Sequence, residues 1–149
     1  MREPEDIKYR KMIKENLDVS MLVEAGAGSG KTMSLVNRML ALIGSGKTTV
    51  DRMAAVTFTR KAAAEMKARF QIRLEKALDQ ERDKKRQERF QSALDHMELL
   101  FSGTIHSFCA RLLKERPIEA RLESTQETVL TATLLSRPGE VTYAFIYPH

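Results

Sequence analysis

The stretch VSMLVEAGAGSGKT, residues 19–32, decides how this chain is read. VSMLVE, 19–24, has the composition of a short buried strand, and the glycine-rich AGAGSG follows it without a spacer. From Lys31 the apolar residues Leu35, Val36, Met39, Leu40 and Ile43 recur every three or four positions, which predicts a helix capped by Gly44 in the left-handed region. Strand, glycine loop, helix is the arrangement in which consecutive backbone N–H groups and the positive end of a helix dipole converge on a phosphate. Ala25, Gly26, Ala27, Gly28, Ser29, Gly30, Lys31 and Thr32 are therefore the expected nucleotide-binding loop. Lys31 would reach the β and γ phosphates, and the Thr32 hydroxyl would be a ligand for Mg²⁺.

The same pentapeptide, GSGKT, recurs at residues 44–48. That copy follows a helix and precedes the next apolar run, MAAVTF at 53–58, so no helix N-terminus backs it. It is expected to be an ordinary connection, and Lys47 an ordinary surface lysine.

Further along, Thr59 is suited to N-cap a long helix whose Ala63, Met66, Phe70 and Leu74 share one face. The apolar pattern lapses over 79–89 and resumes with Phe90, Leu94, Met97 and Phe101. This predicts two helices, or one bent helix, projecting a charged segment. SGTIH, 102–106, reads as a further short strand, and SFCARLLK as a helix with Phe108 and Leu112 inward. A short amphipathic helix is expected over 5–18 from Ile7, Met12, Ile13 and Leu17. The last stretch, 121–149, differs in character. TVLTATLL and VTYAFIY flank the turn signal SRPGE, and they suit either a hairpin or a tail without settled structure.

The 149 residues, 42% of them apolar, suffice for one ordinary domain. The single cysteine, Cys109, excludes an internal disulfide framework; a small buried residue on a helix is its expected role, and a zinc site with His106 would be two ligands short. The N-terminus alternates charges, and no apolar run exceeds the five residues of MLALI, 39–43, so no membrane segment is expected and the cytoplasm is the expected setting. The formal charge of +5 is local: residues 60–89 hold 11 Lys and Arg against 6 Asp and Glu, while the remainder balances. Such an excess suits a polyanionic partner, although mixed-sign runs are commonly solvated helix faces.

VEAGAGSGKT, AAVTFTRKAAAEMKARF and GTIHSFCARLLKERPIEA, taken in order, resemble motifs I, Ia and Ib of superfamily 1 DNA helicases of the UvrD/RecB/AddA type. The general phosphate-loop pattern asks for glycine where this chain has Ala25; the alanine form is the one that family uses. The resemblance runs over roughly residues 15–120. It implies an α/β, RecA-like P-loop NTPase domain with a parallel sheet flanked by helices, incomplete over this length, that binds ATP with Mg²⁺ and single-stranded DNA. By motif position, Lys31 and Thr32 are the implied catalytic residues, and Phe58, Thr59, Arg60, Thr104 and His106 the implied DNA contacts. Flat faces at Phe58 and His106 suit base stacking, and Thr59, Arg60 and Thr104 suit phosphate. A helicase–nuclease partner subunit is also implied.

The chain departs from that family in three respects. No glutamine precedes the loop to read adenine, the first being Gln71. Arg60 stands where the family has asparagine, which retains donors and adds charge. No apolar strand ends in Asp-Glu, so the acidic pair that holds Mg²⁺ and activates water has no counterpart here. These departures lead to the expectation of a shortened helicase product, with a shifted-frame or unrelated tail beyond about residue 120, weak nucleotide binding and negligible hydrolysis. The alternative is a non-catalytic nucleic-acid or partner-binding module that retains the loop; a P-loop kinase or transferase fits less well, for want of an acceptor-site acid.

Overall fold

The computed structural model describes residues 5–24 and 28–115. In chain order the elements are helix α1 (Glu5–Glu15), helix α2 (Lys31–Ser45), strand β1 (Ala54–Thr57), helices α3 (Arg60–Gln80) and α4 (Lys84–Asp95), strand β2 (Phe101–Thr104) and helix α5 (Ile105–Glu115), with single 3₁₀ turns at Val50–Arg52 and Met97–Leu99. The expected hairpin or tail over 121–149 lies outside the described residues.

β1 and β2 pair in parallel, with Ala54 opposite Phe101, Ala55 opposite Ser102, Val56 opposite Gly103 and Thr57 opposite Thr104. Parallel strands need a long crossover, and here the α3–α4 hairpin supplies it. α3 packs on both strands, and α2 packs on α3 and α4. The core lies between them, built from Val36, Met39 and Ile43 of α2, Met66, Phe70 and Leu74 of α3, Phe90 of α4, and Val50, Met53, Met97 and Leu100 beside the strands. The expected inward face of α3 is correct at all four positions: Ala63, Met66, Phe70 and Leu74 are no more than 3% exposed. The α/β expectation, a parallel sheet flanked by helices, describes the fold.

Other expectations need correction. VSMLVE is not a strand: among the described residues only 54–57 and 101–104 form a ladder, so 19–24 has no neighbour to bond to, and Leu22 is 78% exposed. Over 79–89 the two-helix form of the expectation is the one found, as α3 and α4. The chain breaks at 81–83, where the Glu81 carboxylate accepts from the amides of Arg82 and Asp83 and the Asp83 side chain caps α4 at the Arg86 amide. α4 then folds back and buries Phe90 and Ala93. β2 ends at Thr104, so His106 lies in the first turn of α5, not at a strand end. Leu112 is exposed and Phe108 instead packs on Phe101, with ring centroids 5.3 Å apart; Cys109 is exposed as well. No element among those described covers Leu112 or Cys109. On α1, Ile7 and Met12 are exposed and only Ile13 is buried, because α1 touches little beyond α2.

The second GSGKT is explained by its geometry. α2 runs on through Gly44, and Gly46, at φ 74°, is the left-handed cap. Gly46 N–H donates to the Ile43 carbonyl at 2.9 Å and Lys47 N–H to the Leu42 carbonyl at 3.1 Å, the paired bonds that close a helix C-terminus. Those amides are spent on the helix that precedes them. Gly44 serves a different need: a Cβ there would meet the Phe90 ring at 2.9 Å, so glycine is what lets α4 lie against α2. Arg89 donates to the Gly44 carbonyl at 2.8 Å and places a cation at the negative end of the α2 dipole. Lys47 pairs with Asp18 on the surface.

Candidate nucleotide and DNA-binding site

The first GSGKT opens α2 where the second closes it. Gly28 and Gly30 have φ of 75° and 84°, values that side chains resist, and alternate left-handed residues curl successive N–H groups into a concavity that takes an anion. Gly30 is the N-cap and supplies no side-chain bond; its carbonyl accepts the first helical bond from Ser34 N–H at 3.0 Å. The amides of the first turn, which includes Lys31 and Thr32, precede any intrahelical acceptor. No acidic residue occupies that turn. Ser29 Oγ is buried with no hydrogen-bond partner among the described residues, an atom that a ligand oxygen could satisfy. A cleft of about 400 Å³ lies alongside, lined by Ser29, Lys31 and Ser34, by Arg10 and Ile13 of α1, and by Leu22. The donors, the orphaned hydroxyl and the lysine fit a phosphate chain with its counter-cation. Ala25, Gly26 and Ala27 lie outside the described residues; Thr32, half-buried in the first turn of α2, is not among the residues lining the cleft.

Two residues that sequence reasoning passed over hold this region together. Arg38, on α2, donates to the carbonyls of Ile13 at 2.7 Å, Asn16 at 2.9 Å and Val19 at 2.8 Å, tying the end of α1 and the approach to the loop onto α2. Burial lowers the Arg38 pKa from its ordinary value. Arg10, on α1, donates to the Ser29 carbonyl at 2.6 Å. Local sequence carries no signal for either, because both partners are backbone carbonyls 19 to 25 residues away.

The expected DNA contacts gather at the other feature, the C-terminal edge of the sheet. The pairing of Thr57 with Thr104 makes Phe58 and Ile105 leave the two strands side by side. This brings 58–60 next to 104–106 although more than 40 residues separate them in sequence. Phe58 is 57% exposed and is not a core residue; Arg60 and His106 are exposed too. Both threonines cap helices. Thr59 Oγ1 accepts from Ala62 N–H at 3.1 Å to start α3, and Thr104 Oγ1 accepts from Ser107 N–H at 3.3 Å at the start of α5. After accepting, the Thr59 hydroxyl still has its own proton to donate, whereas that of Thr104 faces Ser107 Oγ at 3.2 Å. α3 and α5 also lack acidic residues in their first turns, so two positive helix ends share this edge.

Fold and loop together define a P-loop α/β nucleotide-binding domain. Residues 8–135 match the model of the UvrD/REP helicase N-terminal domain, and the chain belongs to that family. It is 36% identical over 120 residues to an ATP-dependent helicase/nuclease subunit of Enterococcus faecalis, covering 76% of this chain and 9% of that protein. The proteins of the same name from Ligilactobacillus salivarius and Limosilactobacillus reuteri are 38% identical over 101 residues and 40% identical over 96, covering 68% and 64% of this chain and 8% and 7% of theirs. The chain thus spans less than a tenth of the length of these relatives.

Proposed function

We propose that this chain is the ATP-binding, DNA-contacting part of an ATP-dependent DNA helicase that moves along single-stranded DNA. The observation that carries the reading is the start of α2: left-handed glycines, no side-chain cap, no acid in the first turn and a buried Ser29 hydroxyl without a partner among the described residues. In it, residues 25–32 wrap the triphosphate, Lys31 balances the γ phosphate and Thr32 gives its hydroxyl to Mg²⁺. Bound metal would neutralise charge building on the phosphates. Phe58, Thr59, Arg60, Thr104 and His106 would hold the strand by its backbone and by stacking, without reading sequence. The names of the relatives support a setting in a helicase–nuclease assembly with a partner protein, and the cytoplasm is the proposed location.

The test is Lys31→Ala. A melt with and without Mg·ATP should show ligand stabilisation in the native chain and none in the variant, while binding to an oligo-dT strand persists. Equal behaviour of both chains toward ATP, with DNA binding retained, would favour the non-catalytic module instead.

A further inference from the structure

α1 bears a residue that reaches the phosphate loop from outside it. The Arg10 guanidinium donates to the Ser29 carbonyl at 2.6 Å and lies so close to Gly30 that a Cβ there would meet it at 3.2 Å. A trans peptide unit is planar, with its C=O and N–H on opposite sides. Holding the Ser29 carbonyl toward α1 therefore turns the Gly30 N–H away from α1. Ser29 is flanked by two glycines at positive φ, the residues with the widest choice of conformation, so this plane has little to hold it from within the loop. α1 is itself anchored, since Arg38 fixes its last turn to α2. Through α1, Arg10 is thus tied to α2, the helix whose N-terminus the loop must face.

We propose that Arg10 is a positioning residue of the phosphate loop: through the Ser29 carbonyl it holds the Ser29–Gly30 peptide in the orientation that binds the polyphosphate. The proposal rests on the ATP-binding reading above. Because it acts through the loop, its effect falls on the phosphate chain and is indifferent to the base.

The experiment compares the native chain with Arg10→Met, and with Lys11→Ala as a control for α1, an exposed residue that does not line the cleft. Without nucleotide, Arg10→Met should exchange the amide protons of Ser29 to Thr32 faster, with those of Met66 to Leu74 in α3 unchanged; Lys11→Ala should leave the loop amides as they are. Affinities for Mg·ATP, Mg·GTP and Mg·tripolyphosphate should fall together in Arg10→Met, each by about tenfold, as expected for loss of a charge-assisted bond. Unchanged loop exchange overturns the proposal, as does a loss confined to one nucleotide with tripolyphosphate unaffected, or equal acceleration in Lys11→Ala. If the native chain binds none of the three ligands, the ATP-binding reading fails separately, and loop exchange alone decides Arg10. Should Arg10→Met not fold, Arg10→Lys, which keeps the charge and loses the planar fork, takes its place with the same expected direction.

Discussion

Gly44 and Gly30 occupy opposite ends of one helix and do unrelated work. At Gly44 the constraint is space: the Phe90 ring stands 2.9 Å from where a methyl would go. Gly44→Ala should destabilise the fold by about 1–3 kcal/mol, the cost of an overpacked contact, and leave the intrinsic nucleotide affinity unaltered. At Gly30 the constraint is φ, 84°, so Gly30→Ala should cost about 1–2 kcal/mol and weaken Mg·ATP binding as well. Urea unfolding and ligand titration on the two variants separate these outcomes. Lys47→Ala should be silent toward nucleotide and cost no more than about 1 kcal/mol, since its ion pair with Asp18 is exposed.

Among the elements, α3 does most to join the two halves of the described fold, since it packs on α2, α4 and both strands. Phe70, fully buried at its centre, should cost about 3–5 kcal/mol when replaced by alanine, enough to unfold a marginal domain. Thr59→Ala removes the N-cap and should cost about 1 kcal/mol in the same measurement. α1 is held differently, by carbonyls at its last turn and little apolar area. Arg38→Met should therefore speed amide exchange in α1 selectively, with a loss of about 1–2 kcal/mol from the three bonds surrendered.

For the whole chain, the excess of cations over 60–89 divides between structure and surface. Arg89 caps α2, and Arg86 pairs with Glu81 and lies over the Phe90 ring, so these two belong to the packing of the hairpin. Arg60, at the sheet edge, is exposed and belongs to the proposed strand site. Binding of an oligo-dT strand should weaken with salt, and Arg60→Ala should make the log–log slope shallower by about 0.7, the share of one phosphate contact on a single strand. Phosphate release from ATP by the 149-residue chain should remain at background with or without that strand, because its sequence holds no Asp-Glu pair to position metal and water. Turnover stimulated by DNA would contradict this.

The α/β class, α2, α3, the Thr59 cap and the placing of one GSGKT at the start of a helix and the other at its end were all legible in the sequence, because each depends on periodicity or on neighbours within a few residues. VSMLVE was misread as a strand because composition gives a segment's burial preference, whereas a strand exists only where another lies beside it. Gly46 and not Gly44 ends the helix, and the role of Gly44 in making room for a ring of α4, 46 residues downstream, is one that no local pattern anticipates. Sequence alone determined which glycine-rich stretch opens a helix, since that property belongs to a contiguous loop and the residues directly after it. Only the tertiary structure decided that Thr57 and Thr104 lie side by side, that Arg38 binds α1 down, and that Arg10 grips the loop. Those are meetings of side chains and backbone far apart along the chain, and their energy exists only once the chain has folded.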